Sequence, residues 1–249
     1  MLAFPRRLLR VSVRFLLAFG GPLVLVLIAL VGRALPARAA PARAEGAAGP
    51  ERVILDEDGP AWMVRADDGG PPSTVFLPGV CSNARAYLTT FPAAARAHGG
   101  VLALDGDVPC GSGLATFSWD VAKLNARIER ALTKLARPGG SEGITVIGYS
   151  QGAWLAERLA ERWPSRYARI VLIGAPTDPS AVRLARARAV VTMSCSRDVP
   201  TRMKTASRAL ARIGVPSTYL EMPGCTHGDV ANPEPTFAEA LSFVHREGR

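Results

Sequence analysis

Residues that commonly bind metals are scarce in this 249-residue sequence. It contains three histidines and four cysteines, and no two cysteines are separated by only two residues. Cys225 and His227 form one pair of possible ligands, which is too few for zinc, and the other two histidines lie far from any cysteine. The sequence also lacks a glycine-rich phosphate loop, a dinucleotide-binding fingerprint and a pair of carboxylates arranged for acid–base chemistry. We therefore expect neither a metal nor another cofactor.

Acidic residues are scarce at the N-terminus, and this explains most of the chain's basic charge. The formal net charge is +9, of which residues 1–50 contribute +6 from seven arginines and one glutamate. Residues 51–249 contain 23 basic and 20 acidic residues, a net charge of only +3. Binding to a phosphate backbone needs lysines and arginines clustered on the folded domain itself. The charge distribution therefore predicts that nucleic acid is not a partner.

The first 39 residues have the three parts of a secretory signal peptide. Four arginines precede an uncharged stretch from Phe15 to Gly32, and Ala37-Arg38-Ala39 supplies small residues for cleavage before Ala40. The alternative is an uncleaved membrane anchor, because eighteen uncharged residues are just enough to span a bilayer. Gly20-Gly21-Pro22 argues against a straight spanning helix. Both interpretations place the rest of the chain outside the cytoplasm. A cleaved signal peptide predicts a periplasmic or secreted protein, and an uncleaved anchor predicts a membrane-attached one. This segment is the only expected membrane contact.

Residues 40–50 are rich in Ala, Pro, Arg and Gly and are predicted to be a linker, followed by one domain at 51–249. In that domain short apolar runs alternate with segments of helical spacing. The runs predicted to be strands are Arg52–Leu55, Trp62–Arg65, Thr74–Leu77, Val101–Leu104, Ile144–Ile147, Ile170–Ile173, Val190–Met193 and Thr218–Met222. Such alternation predicts an α/β fold with a mostly parallel sheet of about eight strands and helices on both faces.

The helices are predicted from apolar spacing and from capping residues. Helical spacing covers Trp119–Ala136, Gly152–Trp163 and Thr201–Ile213. Asp178-Pro179 has the pattern of an N-cap and first helical residue, and Thr236-x-x-Glu239 that of a capping box for the last helix. Only about sixteen residues lie between the sixth and seventh predicted strands, too few for a separate lid domain.

The most informative motif is Gly148-Tyr149-Ser150-Gln151-Gly152. It directly follows a predicted strand and leads into a predicted helix, which is the context in which G-x-S-x-G forms a nucleophile elbow. A serine on a strained strand-to-helix turn crowds both neighbours two residues away, and this explains the two glycines. Ser150 is therefore the predicted nucleophile.

A serine nucleophile needs a base, and His227 is the best candidate. It lies on a glycine-rich loop just after the last predicted strand. His98 is expected at a helix C-terminus, and His245 is expected to be a solvated residue near the end of the last helix. In the chain order Ser…acid…His, the acid is either Asp178 or Asp198. We favour Asp198, because Asp178 already has a structural explanation as a helix cap.

Two backbone N–H groups are predicted to bind the oxyanion of a tetrahedral intermediate. One belongs to Gln151, the residue after the nucleophile. The other should come from the loop after the Thr74–Leu77 strand, where Gly79 permits close approach of the backbone. Val80 is the first candidate for this second donor, and Cys81 is the alternative.

Over residues 52–249 the chain resembles the α/β-hydrolase superfamily, in particular small serine esterases similar to dienelactone hydrolases and carboxylesterases. The elbow sequence is also similar to that of cutinases. The resemblance implies a Ser150-Asp198-His227 triad and cleavage of a small-molecule or lipid-like carboxylic ester through an acyl-enzyme. The alternatives are activity on amides, peptides or thioesters, acyl transfer, or a binding protein without catalysis. They stay open because a fold does not determine the substrate.

An even number of cysteines in an exported protein suggests disulfides, although four cysteines allow three pairings. The resemblance makes the pairing specific, since in an α/β-hydrolase sheet loops from adjacent strands emerge at the same carboxyl edge. It implies the pairs Cys81–Cys110 and Cys195–Cys225.

Overall fold

The computed structural model describes residues 49–55, 59–136 and 143–249. The predicted signal peptide or anchor, and all but the last residues of the predicted linker, lie outside the described residues. Within the part of the chain that is described, no helix has the length and apolarity needed to cross a membrane.

One eight-stranded sheet forms the centre of the described domain. Its strand order is β1-β2-β4-β3-β7-β8-β9-β10, and β5 and β6 form a separate two-stranded hairpin. The pairs β1–β2 and β2–β4 are antiparallel, whereas all pairs from β4 to β10 are parallel. The strands are β1 (Glu51–Ile54), β2 (Pro60–Val64), β3 (Thr74–Leu77), β4 (Val101–Leu104), β5 (Val108–Gly111), β6 (Leu114–Thr116), β7 (Ile144–Tyr149), β8 (Tyr167–Ile173), β9 (Ala189–Cys195) and β10 (Ser217–Met222).

The eight predicted strands are confirmed, each within three residues of its predicted bounds. The central strands β3, β4, β7 and β9 are almost entirely apolar because both of their faces are buried. In β3, for example, Val75 and Leu77 pack into one hydrophobic cluster, while Phe76 between them packs into the other. This is the two-residue alternation of a strand with a core on each side.

Helices cover both faces of the sheet, as predicted. Helices α3, α4 and α5 contribute buried residues to one cluster, and α1, α2 and α6 contribute to the other. The helices are α1 (Ala84–Leu88), α2 (Pro92–Ala97), α3 (Val121–Lys134), α4 (Gln151–Arg162), α5 (Thr201–Arg212) and α6 (Glu234–Glu247). Helix α3 shows how the sequence specifies such an element. Asp120 caps it by accepting hydrogen bonds from the N–H groups of Ala122 and Lys123, and Leu124, Ile128 and Ala131 form its buried face.

Two capping predictions are wrong. No helix begins at Asp178. Residues 176–187 form bends, turns and irregular backbone, and the Asp178 carboxylate instead pairs with Arg202 at 2.7 Å. The last helix begins at Glu234, so Thr236 lies inside it and forms no capping box. The Glu234 carboxylate instead accepts hydrogen bonds at the N-terminus of α2, a long-range contact that no local pattern indicates.

Candidate active site

The predicted nucleophile lies on a strained turn between β7 and α4. Tyr149 is the last residue of the strand, Gln151 is the first of the helix, and Ser150 between them has φ +53° and ψ −113°. This conformation is unfavourable for a residue with a side chain, and it is typical of an elbow that presents the serine hydroxyl. A Cβ at Gly148 would collide with the backbone of Gly152, and a Cβ at Gly152 would collide with the carbonyl oxygen of Leu77. Close approach of three backbone segments therefore requires both glycines.

The structure brings the three residues of the predicted triad into one hydrogen-bonded chain. Asp198 follows β9 and His227 follows β10, so both reach the carboxyl edge of the sheet where Ser150 lies. The distance from Ser150 Oγ to His227 Nε2 is 3.1 Å, and that from His227 Nδ1 to Asp198 Oδ2 is 2.8 Å. Asp178, the alternative acid, is highly exposed and bonded to Arg202 instead.

The charge on Asp198 is favoured by its surroundings. Partial burial opposes ionisation, but hydrogen bonds from the His227 ring and from the Val199 N–H outweigh it, and the nearby Arg202 adds to their effect. Together they hold the pKa of Asp198 below its usual value. An ionised Asp198 accepts a hydrogen bond from the N–H of His227 Nδ1 and leaves the lone pair of Nε2 directed at the serine hydroxyl. This is the tautomer that a general base needs.

His227 lies on a tight turn that is fastened to the strand carrying the nucleophile. Asp229 N–H donates to the carbonyl of Thr226 at 3.0 Å, and Gly228 takes the positive φ of +93° that such a turn requires. Gly228 N–H then donates to the phenolic oxygen of Tyr149 at 2.5 Å. The ring centroids of Tyr149 and His227 lie 5.3 Å apart, so the tyrosine also packs beside the imidazole.

Tyr149 accepts this hydrogen bond as a neutral phenol. Burial raises the pKa of Tyr149; the Gly228 hydrogen bond lowers it, while the charges of Asp198 and Asp229 raise it further, and the net direction is upward. Nothing in the sequence pointed to this contact, because Gly228 is 79 residues away along the chain.

A glycine also borders the triad on the side of β8. Gly174 directly follows that strand, has φ +52°, and a Cβ on it would lie 3.1 Å from ring atoms of His227 and 3.5 Å from Asp198 Oδ2. Arg202 holds the adjoining loop by donating to the carbonyls of Ala175 and Pro176 at 3.0 and 3.1 Å. Sequence reasoning missed both residues, although a glycine at the end of a central strand was a possible signal for Gly174.

The two segments predicted to bind an oxyanion both lie against Ser150. Gln151 is the first residue of α4, so its N–H has no intrahelical partner and lies at the positive end of the helix dipole. Val80 lies in the turn after β3 and is 55% exposed. A Cβ on the preceding Gly79 would lie 3.2 Å from the Cβ of Ser150, so the backbone there approaches the serine closely. The donor roles of Val80 and Gln151, like the roles of the triad, remain predictions.

Both implied disulfides are present. Cys81 pairs with Cys110 across 5.4 Å between Cα atoms, and Cys195 pairs with Cys225 across 5.0 Å. The second bond joins the loops that carry Asp198 and His227. In the described residues no group of three or more His, Cys, Asp or Glu is arranged to hold a metal ion.

The remaining two histidines lie together at the far, amino-terminal edge of the sheet. His98 ends helix α2, as expected. His245 is not the solvated residue that we expected, because it is half-buried and its Nε2 lies 3.1 Å from Thr145 Oγ1. Burial, the neighbouring Arg169 and His98 together lower the pKa of His245 to about 4. The expectation failed because α6 turns this residue towards β7, and helical spacing alone does not reveal how far the core extends.

Comparison with known proteins identifies the fold. No protein-family model and no curated protein matches the sequence. Among solved structures, the chain is similar to the fluorophosphonate-binding serine hydrolase FphF of Staphylococcus aureus, with a TM-score of 0.59 and 13% identity over 79% of this chain and 99% of that one. For Est1E from Butyrivibrio proteoclasticus the TM-score is 0.56 and the identity 11%, over 80% of this chain and 99% of that one. For the feruloyl esterase module of Clostridium thermocellum the TM-score is 0.59 and the identity 11%, over 80% of this chain and 87% of that one. With this strand order and elbow, the likeness shows that the chain has the α/β-hydrolase fold.

Proposed function

We propose that the protein is a serine hydrolase that cleaves carboxylic esters through an acyl-enzyme. The observation that carries this proposal is the hydrogen-bonded chain from Asp198 through His227 to Ser150, with distances of 2.8 and 3.1 Å. Such a chain activates a hydroxyl that is otherwise a weak nucleophile. The structurally similar proteins named as esterases and serine hydrolases lend further support.

In the first half of the reaction Ser150 Oγ attacks the ester carbonyl carbon while its proton passes to His227 Nε2. The negative charge that develops on the carbonyl oxygen is stabilised by the N–H groups of Gln151 and Val80. Asp198 stabilises the imidazolium that forms. His227 then gives the proton to the alcohol oxygen as the bond to carbon breaks, and the acyl group remains on the serine.

In the second half a water molecule takes the place of the alcohol. His227 removes a proton from this water, which attacks the acyl carbonyl, and the same two N–H groups stabilise the second tetrahedral intermediate. Its collapse releases the carboxylic acid and returns the proton to Ser150. The cycle needs only groups that this chain supplies, together with water.

Exposure of the site favours accessible esters as substrates. The His227 side chain is 45% exposed, and the segment between β8 and β9 that borders the triad consists of bends and turns. We therefore propose a small-molecule or lipid-like ester. We also propose that the domain works outside the cytoplasm, because all four of its cysteines form disulfides and disulfides persist in oxidising compartments.

Labelling with a fluorophosphonate tests the chemistry, and a substrate panel tests its class. The full-length protein should form one adduct, on Ser150, and should hydrolyse p-nitrophenyl esters faster than the matched anilides or thioesters. Ser150→Ala should abolish both, whereas Ser242→Ala, on the remote α6, should leave both unchanged. An adduct on another serine, or faster turnover of the anilide or thioester than of the ester, would contradict the proposal.

A further inference from the structure

The β5–β6 hairpin is not held in place by a core of its own. It lies outside the main sheet, all four residues of β5 are exposed, and Val108 and Leu114 expose 40% and 38% of their surfaces. Two-stranded hairpins are marginally stable in water without such burial. The position of the hairpin must therefore come from its specific attachments to neighbouring segments.

One set of attachments joins the hairpin to the loop after β3. The disulfide Cys81–Cys110 links the two covalently. The next residue of the loop, Ser82, pairs with Ala115 through two backbone hydrogen bonds, of 3.0 Å from Ser82 N–H and 3.1 Å from Ala115 N–H. Val80, a predicted oxyanion donor, directly precedes Cys81 and Ser82, the two residues that are attached to the hairpin.

A second set joins the hairpin to the start of helix α4. The side-chain oxygen of Gln151 accepts hydrogen bonds from the Thr116 hydroxyl at 2.8 Å and from Phe117 N–H at 3.1 Å. Its amide nitrogen donates to the carbonyl of Phe117 at 2.9 Å. Gln151 exposes 1% of its surface, and these hydrogen bonds from its side chain all go to Thr116 and Phe117 at the end of the hairpin. The backbone N–H of the same residue is the other predicted oxyanion donor.

We propose that the hairpin is the element that sets the distance between the two oxyanion donors. These donors belong to separate segments, and their effect depends on both lying within hydrogen-bonding distance of one developing charge. The hairpin is bound to the first segment at the two residues after Val80, and to the second segment at Gln151 itself. Cys81, Cys110 and the side chain of Gln151 are therefore positioning residues. This proposal rests on the proposed function, since it assigns a task to the oxyanion site of that reaction.

The double variant Cys81→Ser/Cys110→Ser tests the first attachment without leaving an unpaired thiol. We expect kcat to fall about 10- to 100-fold, somewhat less than the loss of a whole oxyanion donor. We expect KM to change by less than about twofold, because ground-state binding does not use the oxyanion contacts. The affinity for a trifluoromethyl ketone, which forms a tetrahedral adduct with an oxyanion, should fall in parallel with kcat. A merely structural bond would not produce this parallel loss in folded protein.

Gln151→Leu tests the second attachment and keeps the proposal testable if the double variant does not fold. It retains the backbone donor but cannot bond to Phe117, so we expect the same pattern of lower kcat, unchanged KM and weaker ketone binding. Ser112→Gly is the matched control. It changes the exposed hairpin tip, where Ser112 has φ +53°, without touching either attachment, and should keep wild-type kinetics.

Two outcomes would overturn the proposal. One is a folded double variant or a folded Gln151→Leu variant that keeps kcat and ketone affinity within about twofold of wild type. The other is a loss of the same size in Ser112→Gly. If wild-type protein itself neither hydrolyses esters nor reacts with a fluorophosphonate, the proposed function has failed instead, so the two failures are distinguishable.

Discussion

Acid should destabilise this fold through His245, well above the pH at which carboxylates are protonated. The ring lies between β7 and α6, beside Arg169 and His98, and its pKa is lowered to about 4. In the unfolded chain a histidine has a pKa near 6.5, so the unfolded state binds more protons between those two values. The stabilising effect of the neutral ring is complete above pH 6.5 and is lost as the pH falls towards 4.

The size of the effect follows from the shift. A difference of roughly two and a half pKa units corresponds to an upper limit of about 3–4 kcal/mol in the free energy of unfolding. His245 is only half-buried and borders an open surface cavity of about 330 Å³, so solvent screens part of this energy. We expect a loss of roughly 1–2 kcal/mol between pH 7 and 4.5. The pKa of His98 is also lowered by burial, so His98 adds to the effect in the same direction.

Urea unfolding followed by circular dichroism at pH 7 and at pH 4.5 measures this difference. His245→Gln keeps a polar group beside Thr145 but cannot be protonated, so its free energy of unfolding should fall less with pH than that of the wild type. Arg246→Gln, an exposed neighbour on the same helix, should keep the wild-type dependence. Equal pH dependence in wild type and His245→Gln would refute the reasoning.

Three substitutions at the site give further predictions. Tyr149→Phe removes the acceptor of the Gly228 N–H. It should lower kcat about tenfold with little change in KM, because the turn that carries His227 is loosened while substrate binding is unaffected. Tyr167→Phe loses a buried hydroxyl far from the triad, and an equal effect from it would contradict this prediction. Gly174→Ala places a methyl group 3.1 Å from the His227 ring and should lower kcat/KM by at least about tenfold in a folded protein, as circular dichroism and kinetics can show. Asp198→Asn should lower kcat on the order of a thousandfold or more, since the ring loses the partner that fixes its tautomer; a variant within tenfold of wild type would exclude Asp198 as the acid.

The strands of the sheet were predictable because a short apolar run is a local feature of the sequence. Strands such as β3 and β7 are short apolar runs. The G-x-S-x-G motif, Asp198 and His227 follow the carboxyl ends of β7, β9 and β10, respectively. Two adjacent loops with one cysteine each then made the pairing Cys195–Cys225 predictable once the resemblance supplied the strand order.

The features that sequence reasoning missed depend on partners far away along the chain. The hairpin at 108–116 has no apolar period, because its attachments are a disulfide, a backbone pair and the side chain of Gln151 rather than a buried face. Asp178 has the sequence pattern of a helix cap, yet its carboxylate pairs with Arg202, which is 24 residues away along the chain. Such contacts cannot be recognised until the fold has brought the segments together.

Trapping the acyl-enzyme tests the central claim most directly. Protein mixed with excess p-nitrophenyl acetate and quenched in acid within the first turnovers should carry one acetyl group, and peptide mass spectrometry should locate it on Ser150. Release of p-nitrophenol should show a burst of about one equivalent if deacylation is the slower step. Ser150→Ala should show neither the acetyl group nor the burst. Wild-type turnover that persists in Ser150→Ala, or an acetyl group on any other residue that turns over at the catalytic rate, would contradict the assignment of Ser150 as the nucleophile.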